Sequence, residues 1–346
     1  MNTMRSLLCV ATILAASLSS SGVRSETFFE KADKPDHALA AIIAGVDDIV
    51  CSATVIGPRH VLTAADCVID PETGAPFEDR AVMPRVDLAG GAIPVTRRFI
   101  NRVFLPDADA PFGPGAERDN QLAVVEVRRS AEQTAFAEVT DRIGFHYGQA
   151  GSDEALAIAF YDAENGGQMI SLGCAALMIE AGDLMPLSCS LPKGAEGAAL
   201  RSGSGIAAIY LGPGRGRYIG KAEAAAIGRI VSGQPPGAFT ALEAGYQPLI
   251  TLVLANRCEQ PISYVARYRA PEAPKNVPFA SVSGTIDGGH SALLPLGTQN
   301  GVIYLRGATR DGSLIWGGED RFDGAGYFKI AIADWGDHFH ALGCAE

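Results

Sequence analysis

CSATVIGPRHVLTAADC, residues Cys51 to Cys67, sets an apolar run, a Gly-Pro turn and a second apolar run between two cysteines. The first run belongs to a segment, Ile49 to Ile56, that reads as a short strand. Similar runs follow at Val86 to Val95, Leu122 to Val127, Ala155 to Tyr161, Met169 to Ile179 and Ile206 to Leu211, broken by Gly, Pro, Asp and Asn. Many short strands at fairly even spacing predict a barrel or sandwich, and Gly 40 with Pro 20 supply the turns. Lys221 to Ile230 (KAEAAAIGRI) is the best helix, rich in alanine and closed by Gly233. Gly233 to Phe239 (GQPPGAF) then reads as a linker. From about Tyr246 a second β-rich unit begins, with strands expected at Leu249 to Asn256, Ile262 to Tyr268, Val302 to Arg306 and Tyr327 to Ala333. No internal repeat is visible.

The 346 residues are 47% hydrophobic and 19% charged, too apolar for disorder and long enough for two or three domains. A formal net charge of −11 argues against non-specific binding to nucleic acid or anionic membranes. Arg5 precedes an apolar run, Leu7 to Leu18, that is too short to span a bilayer comfortably. Small residues follow, with Val23 and Ser25 placed like the −3 and −1 positions of a cleavage site before Glu26. Residues 1–25 therefore read as a secretory signal peptide, with cleavage nearer Ser21 as the alternative. No other segment is apolar enough for a membrane helix, so an exported soluble protein, periplasmic or extracellular, is expected. Cys9 leaves with the leader, and Cys51, Cys67, Cys174, Cys189, Cys258 and Cys344 remain. An even set in an oxidising compartment implies disulfides, and the absence of a C-x-x-C pair weighs against a metal site.

The Cys51 to Cys67 stretch resembles the first-barrel signature of the trypsin-like serine peptidases, V-L-T-A-A-H-C after an apolar strand and a turn. Every element is present except the histidine, whose place is taken by Asp66. Cys189 to Leu200 (CSLPKGAEGAAL) resembles the family's C-x-x-x-x-G-D-S-G-x-P-V loop, followed by a strand from Ser204. In that register Gly194 and Gly197 keep their places, Ala195 stands for the aspartate, Glu196 for the nucleophilic serine and Ala199 for the proline. The middle triad position falls on Gln121, with Asp119 two residues earlier able to point to the same side of a strand. The resemblance covers roughly Ala38 to Ile230. It implies an all-β fold, a trypsin-like double β-barrel with a short C-terminal helix over residues 26–235, and does not extend to the β-rich C-terminal unit, whose strand pattern reads as a small β-sandwich-like domain over 246–346. It also implies the bridges Cys51–Cys67 and Cys174–Cys189, and elimination leaves Cys258–Cys344 within the C-terminal unit.

The substitutions change the chemistry. The serine mechanism needs a hydroxyl deprotonated by an imidazole that a carboxylate orients. Asp66, with a reference pKa near 3.9, is a poor proton acceptor at neutral pH, and the Glu196 carboxylate has no proton to give. Ser188, Ser190, Ser202 and Ser204 lie nearby, and His60 precedes Asp66 by six residues on the loop before the strand, but none sits in the G-x-S-G turn. Asp66 and Glu196 could instead share a proton, as aspartic proteases do, or bind Ca²⁺ together with Asp119. The plain alternative is a pair that is solvated or hydrogen-bonded locally.

Gly194, Ala195 and Glu196 resemble an oxyanion-hole loop whose backbone donors favour negative charge. Glu196 would then either fold back on that loop or meet Asp66. Elsewhere, His338 and His340 share one face of a possible strand near Asp337 and His290, which reads as two half-exposed histidines before it reads as a zinc site. Gly212 to Gly216 (GPGRG) reads as a strand connection, and Trp316 and Trp335 as core residues. The expectation is a pseudoprotease without cofactor or metal that binds an unknown protein or peptide partner through the former cleft. The alternatives are a hydrolase working through the Asp66/Glu196 carboxylates and a metal-stabilised envelope protein.

Overall fold

The computed structural model describes residues 29–31, 38–45, 48–84, 97–107, 121–128, 147–148, 155–164, 168–177, 184–203, 205–245, 249–271, 273–274, 276–333 and 335–344. The segments expected at residues 86–95 and the leader at 1–25 lie outside them, as does Asp119. A short strand β1 (Phe29–Lys31) pairs antiparallel with Met169, Ile170 and Ser171.

Six strands build the first barrel: β2 (Leu39–Ala44), β3 (Asp48–Gly57), β4 (His60–Ala64), β5 (Arg80–Pro84), β6 (Arg98–Pro106) and β7 (Leu122–Val127). Their pairing runs β2-β3-β4-β7-β6-β5 and returns to β2, so the ring closes. The apolar runs are continuous because these strands are buried almost end to end; every residue of β4 and β7 is buried. His60 opens β4 and does not lie on the preceding loop.

The second barrel uses β8 (Ala155–Tyr161), β9 (Gln168–Ala175), β10 (Leu184–Pro186), β11 (Ala199–Ser202), β12 (Gly205–Gly212) and β13 (Arg215–Tyr218). The order β9-β8-β11-β12-β13-β10 is joined end to end by a bridge between Ala176 and Leu187. Both barrels therefore follow one ring order, in which strands one, two, three, six, five and four are neighbours. Two such barrels make up the trypsin-like double β-barrel. The repeat is one of topology, invisible as sequence similarity. Gly212 to Gly216 forms the turn between β12 and β13, as its composition predicts.

Helix α1 (Lys221–Val231) follows, and its Ala226, Ile227 and Ile230 pack into the core of the first barrel, with Ile209 and Leu211 of β12. A fully buried ion pair, Arg217 to Glu223 at 3.0 Å, ties β13 to the helix. Residues 233–238 carry neither helix nor strand, as expected of the linker, and a strand follows from Phe239. β14 (Phe239–Glu243) pairs along β6, so the segment after the linker is an edge strand of the first barrel. Phe239, 3% exposed, anchors it.

The C-terminal strands are β15 (Ile250–Asn256), β16 (Ile262–Tyr268), β17 (Ala280–Ile286), β18 (Ser291–Leu293) and β19 (Val302–Thr309), then β20 (Ile315–Trp316), β21 (Asp320–Phe322), β22 (Ala325–Ala331) and β23 (Gly336–Leu342). They form a three-stranded sheet, β18-β15-β23, and a larger sheet, β17-β16-β19-β22-β21, over a common core that includes Leu252, Leu254, Tyr264, Ile303 and Leu305. Alternation of buried and half-buried residues along β19 marks a sheet with one face on the core and the other partly solvated. Trp316 packs against this core, but Trp335 is 38% exposed and is not a core residue. Arg97 joins this unit to the first barrel. Its guanidinium meets the Asp337 carboxylate at 3.1 Å, and its backbone N–H donates to the same carboxylate at 2.6 Å.

The structure joins Cys51–Cys67, Cys174–Cys189 and Cys258–Cys344, with Cα separations of 5.9, 5.0 and 5.3 Å. Three disulfides accord with folding in an oxidising compartment. No helix among the described residues is long and apolar enough to cross a membrane.

Candidate functional site

Three segments meet where the barrels touch. The β3–β4 hairpin runs into a 3-10 turn, Ala65–Cys67, which carries Asp66 on its exposed side. The disulfide Cys51–Cys67 fastens the end of that turn to β3. Gln121, at the start of β7 and 8% exposed, supplies a backbone carbonyl that accepts the Ala65 N–H at 2.9 Å. The position aligned to the middle triad member therefore touches the turn that bears Asp66 through main chain.

The third segment is the loop Gly194 to Gly197. Its shape depends on two glycines with left-handed backbone, Gly194 at φ +97° and Gly197 at φ +82°. Close packing independently demands them. A Cβ on Gly197 would lie 2.1 Å from Thr63 Oγ1 and 2.4 Å from the Ser52 carbonyl, and one on Gly194 would lie 2.6 Å from the Tyr161 carbonyl.

Ser52 is the hub. Its N–H donates to the Glu196 carbonyl at 2.8 Å and its hydroxyl to the Gly194 carbonyl at 2.7 Å. The same hydroxyl accepts the Tyr161 N–H at 2.8 Å, and the Ser52 carbonyl accepts the Thr63 hydroxyl at 2.8 Å. All these groups are buried, so each bond also averts a desolvation cost. Sequence reasoning missed Ser52 and Thr63. The only available signal was a polar residue inside an otherwise apolar strand.

Within the loop, Ala195 is fully buried, and its N–H donates to the Pro192 carbonyl at 3.2 Å. Glu196 is half-buried. Its carboxylate turns back and accepts the Gly194 N–H at 3.0 Å. Of the two arrangements open to it, the folded-back one is present. Behind it, Tyr210 is fully buried, its hydroxyl accepting the Leu191 N–H at 2.8 Å. Burial pushes the Tyr210 phenol up, and the Glu196 charge adds to the rise.

Chemically, the loop presents a carboxylate, and the Gly194 N–H beside it is already satisfied by that carboxylate. His60 is no substitute base. It lies four residue steps along β4 from Ala64, about 13 Å. The Ser188 hydroxyl accepts the Ala175 N–H at 2.9 Å, and Ser204 lies outside the described residues. His338 is 6% exposed, more buried than expected, His340 lies against the Phe328 ring, and Asp337 belongs to the Arg97 contact. Among the described residues no three His, Cys, Asp or Glu side chains are grouped to hold a metal.

No family model matches the chain, and no curated protein does. Among solved structures the chain is similar to a Glu endopeptidase, with a TM-score of 0.45 and 15% identity over 60% of this chain and 98% of that one. It is similar to the protease Anisep from Arthrobacter nicotinovorans, at 0.44 and 16% over 59% and 100%. A third likeness is to the scabies mite inactivated protease paralogue S-D1, at 0.41 and 11% over 57% and 93%.

Proposed function

We propose that this chain is an exported pseudoprotease, released to the periplasm or medium after removal of residues 1–25, that binds a protein or peptide in the cleft between its barrels. One observation carries the reading. The Glu196 carboxylate, at the position of the family's nucleophile, accepts the Gly194 N–H at 3.0 Å. A carboxyl group at the nucleophile position is a weak nucleophile toward a peptide carbonyl and its acylation would give an anhydride and not a productive acyl-enzyme, and by occupying the donor it displaces the oxyanion that catalysis would stabilise. The loop is nonetheless held rigidly by Ser52 and by Gly197, which favours retention of a shaped surface over decay of the site. The test is to treat the purified mature protein with a fluorophosphonate probe and to measure casein and ester hydrolysis. Neither labelling nor turnover is expected. Labelling at one serine, lost when that serine is replaced, overturns the reading.

A further inference from the structure

The larger C-terminal sheet ends on one side at β17, and among the described residues no strand covers its outer edge. An open edge presents a row of backbone donors and acceptors ready to pair with another strand, and proteins ordinarily blunt it with short strands, charges, proline or bulges. The other described edges follow that rule. β1, β18, β20 and β21 have at most three residues, β14 carries Glu243, and β23 carries Asp337. β17, Ala280–Ile286 (ASVSGTI), has seven residues, no charge, no proline and an unbroken register with β16.

This edge is complementary to itself. An antiparallel two-fold through Ser283, the midpoint of the strand, sets Ser281 opposite Thr285 and Ser283 opposite Ser283 of a second copy. All three are exposed on one face, where Ser263 and Thr285 already place their hydroxyls 3.5 Å apart, so the hydroxyl ladder would continue across the axis. On the other face Ala280 would meet Ile286, and Val282 would meet Gly284. The ends are complementary in charge. One step past the strand, Asp287 falls opposite Phe279, whose ring lies 5.2 Å from the Arg269 guanidinium. Asp287 is exposed and makes no ion pair or side-chain hydrogen bond among the described residues. Arg269 meets no carboxylate among them and donates to the Pro274 carbonyl at 3.0 Å. At the Asp287 end, Glu259 is a second exposed carboxylate packed by its carbonyl beside Gly288, and Arg257 turns to the Phe339 ring. At the Arg269 end, Arg267 is paired with Asp323, and Glu272 and Lys275, of opposite charge, lie outside the described residues.

We infer that β17 pairs antiparallel with β17 of a second copy of this chain, so that two C-terminal sheets run on as one and each Asp287 meets Arg269 of the other copy. The uncharged strand lets the copies approach where a formal net charge of −11 otherwise drives them apart. A contact built from one strand pair and its flanking ion pairs is small, so the dimer belongs to the weak, reversible class, with a dissociation constant of about 10 to 100 µM.

Analytical ultracentrifugation of the purified mature protein, up to about 500 µM, should show a reversible dimer. Ser283→Lys, at an exposed position, sets two like charges at the axis and should weaken the dimer at least about tenfold with an unchanged melting temperature. Asp287→Arg should weaken it about threefold to tenfold, and adding Arg269→Asp, which swaps the pair, should recover the loss. Cysteine crosslinking tests the register directly. In Ser283→Cys the opposed Cα atoms would lie about 4.5 to 5.5 Å apart, within disulfide reach, so mild oxidation should give a covalent dimer. In Ser281→Cys the two sulfurs belong to residues about 13 Å apart along the strands, and no such dimer should form. A protein that stays monomeric at about 500 µM, a dimer indifferent to Ser283→Lys, no recovery in the swapped pair, or Ser281→Cys crosslinking as readily as Ser283→Cys overturns the inference.

Discussion

The two barrels share a ring order but not the way they are sealed. In the first, every pair of neighbouring strands shares a ladder, with five residue pairs between β2 and β5 and two between β5 and β6. In the second, among the described residues, β9 and β10 meet only through the bridge Ala176 to Leu187 and its flanking bonds, Leu177 N–H to Pro186 and Ser188 N–H to Ala175. The disulfides fall differently on these frames. Cys51–Cys67 reinforces a hairpin, β3–β4, that already has its own ladder. Cys174–Cys189 crosses the weak seam. Chain entropy does not distinguish them, since the loops span 16 and 15 residues and each is worth about 3 kcal/mol in that model. Any inequality therefore measures the seam.

The largest effect should come from removing the seam bridge. Cys174→Ala with Cys189→Ala should cost about 3 kcal/mol or more and open the second barrel locally, with faster hydrogen exchange at the Leu177 and Ser188 amides. Cys51→Ala with Cys67→Ala should cost no more than about 3 kcal/mol and leave the β3–β4 amides protected. Denaturant unfolding with exchange mass spectrometry compares the pair. Equal losses with equal local opening would show that the seam has no special weakness.

Next comes the joint between the barrels. Ser52→Ala removes one hydroxyl and strands two buried backbone groups, the Gly194 carbonyl and the Tyr161 N–H. The expected loss is about 2 to 3 kcal/mol, larger than for a typical surface serine. A loss under about 0.5 kcal/mol would mean that water replaces the hydroxyl and that Ser52 does not couple the barrels.

How far the sequence disclosed this arrangement follows from the range of each contact. Strands such as Leu122–Val127, the helix at Lys221 and the cysteine pairs are written in local pattern or in a matched motif, and they occur as read. The joint is not local. Ser52 reaches Gly194 across 142 positions and Arg97 reaches Asp337 across 240, and no periodicity encodes either. β14 was unreadable for a related reason. Its burial pattern has a single buried residue, Phe239, so it looks like linker until β6 offers an edge. The motif singles out Asp66, Gln121 and Glu196, whereas the direction of the Glu196 carboxylate depends on the backbone of Gly194 and is not in the motif.

A smaller effect is expected at Glu196, because Gln is nearly isosteric and its amide oxygen can still accept the Gly194 N–H. Glu196→Gln should cost no more than about 1 kcal/mol, the difference between a charge-assisted and a neutral hydrogen bond. Glu196→Ala, which removes the acceptor, should cost more than Glu196→Gln. Thermal melts of both variants decide this, and a Glu196→Ala variant as stable as wild type would leave the folded-back carboxylate without energetic weight.

The last contrast is between a barrel that holds a buried histidine and one that, among the described residues, holds none. Among the described residues the second barrel has no histidine, whereas the first has His60, buried and held below its ordinary pKa by desolvation. In the C-terminal unit His340 is lowered for the same reason. A depressed histidine pKa means that the unfolded chain takes up a proton, below about pH 6.5, that the folded chain refuses. The unfolded state therefore gains relative to the folded one as pH falls from about 6.5 toward the folded pKa. Stability should decline over that window and not rise. His60→Gln keeps a polar side chain at the site and abolishes its titration, so it should flatten part of the decline between pH 7 and 5, leaving the share due to His340. Hydrogen exchange across the same range should place the acid-sensitive opening in β4 and β7 rather than in β8 to β13. A pH profile for His60→Gln that parallels wild type would show that His60 gains its proton as readily in the fold as outside it, and that its burial carries no linkage to folding.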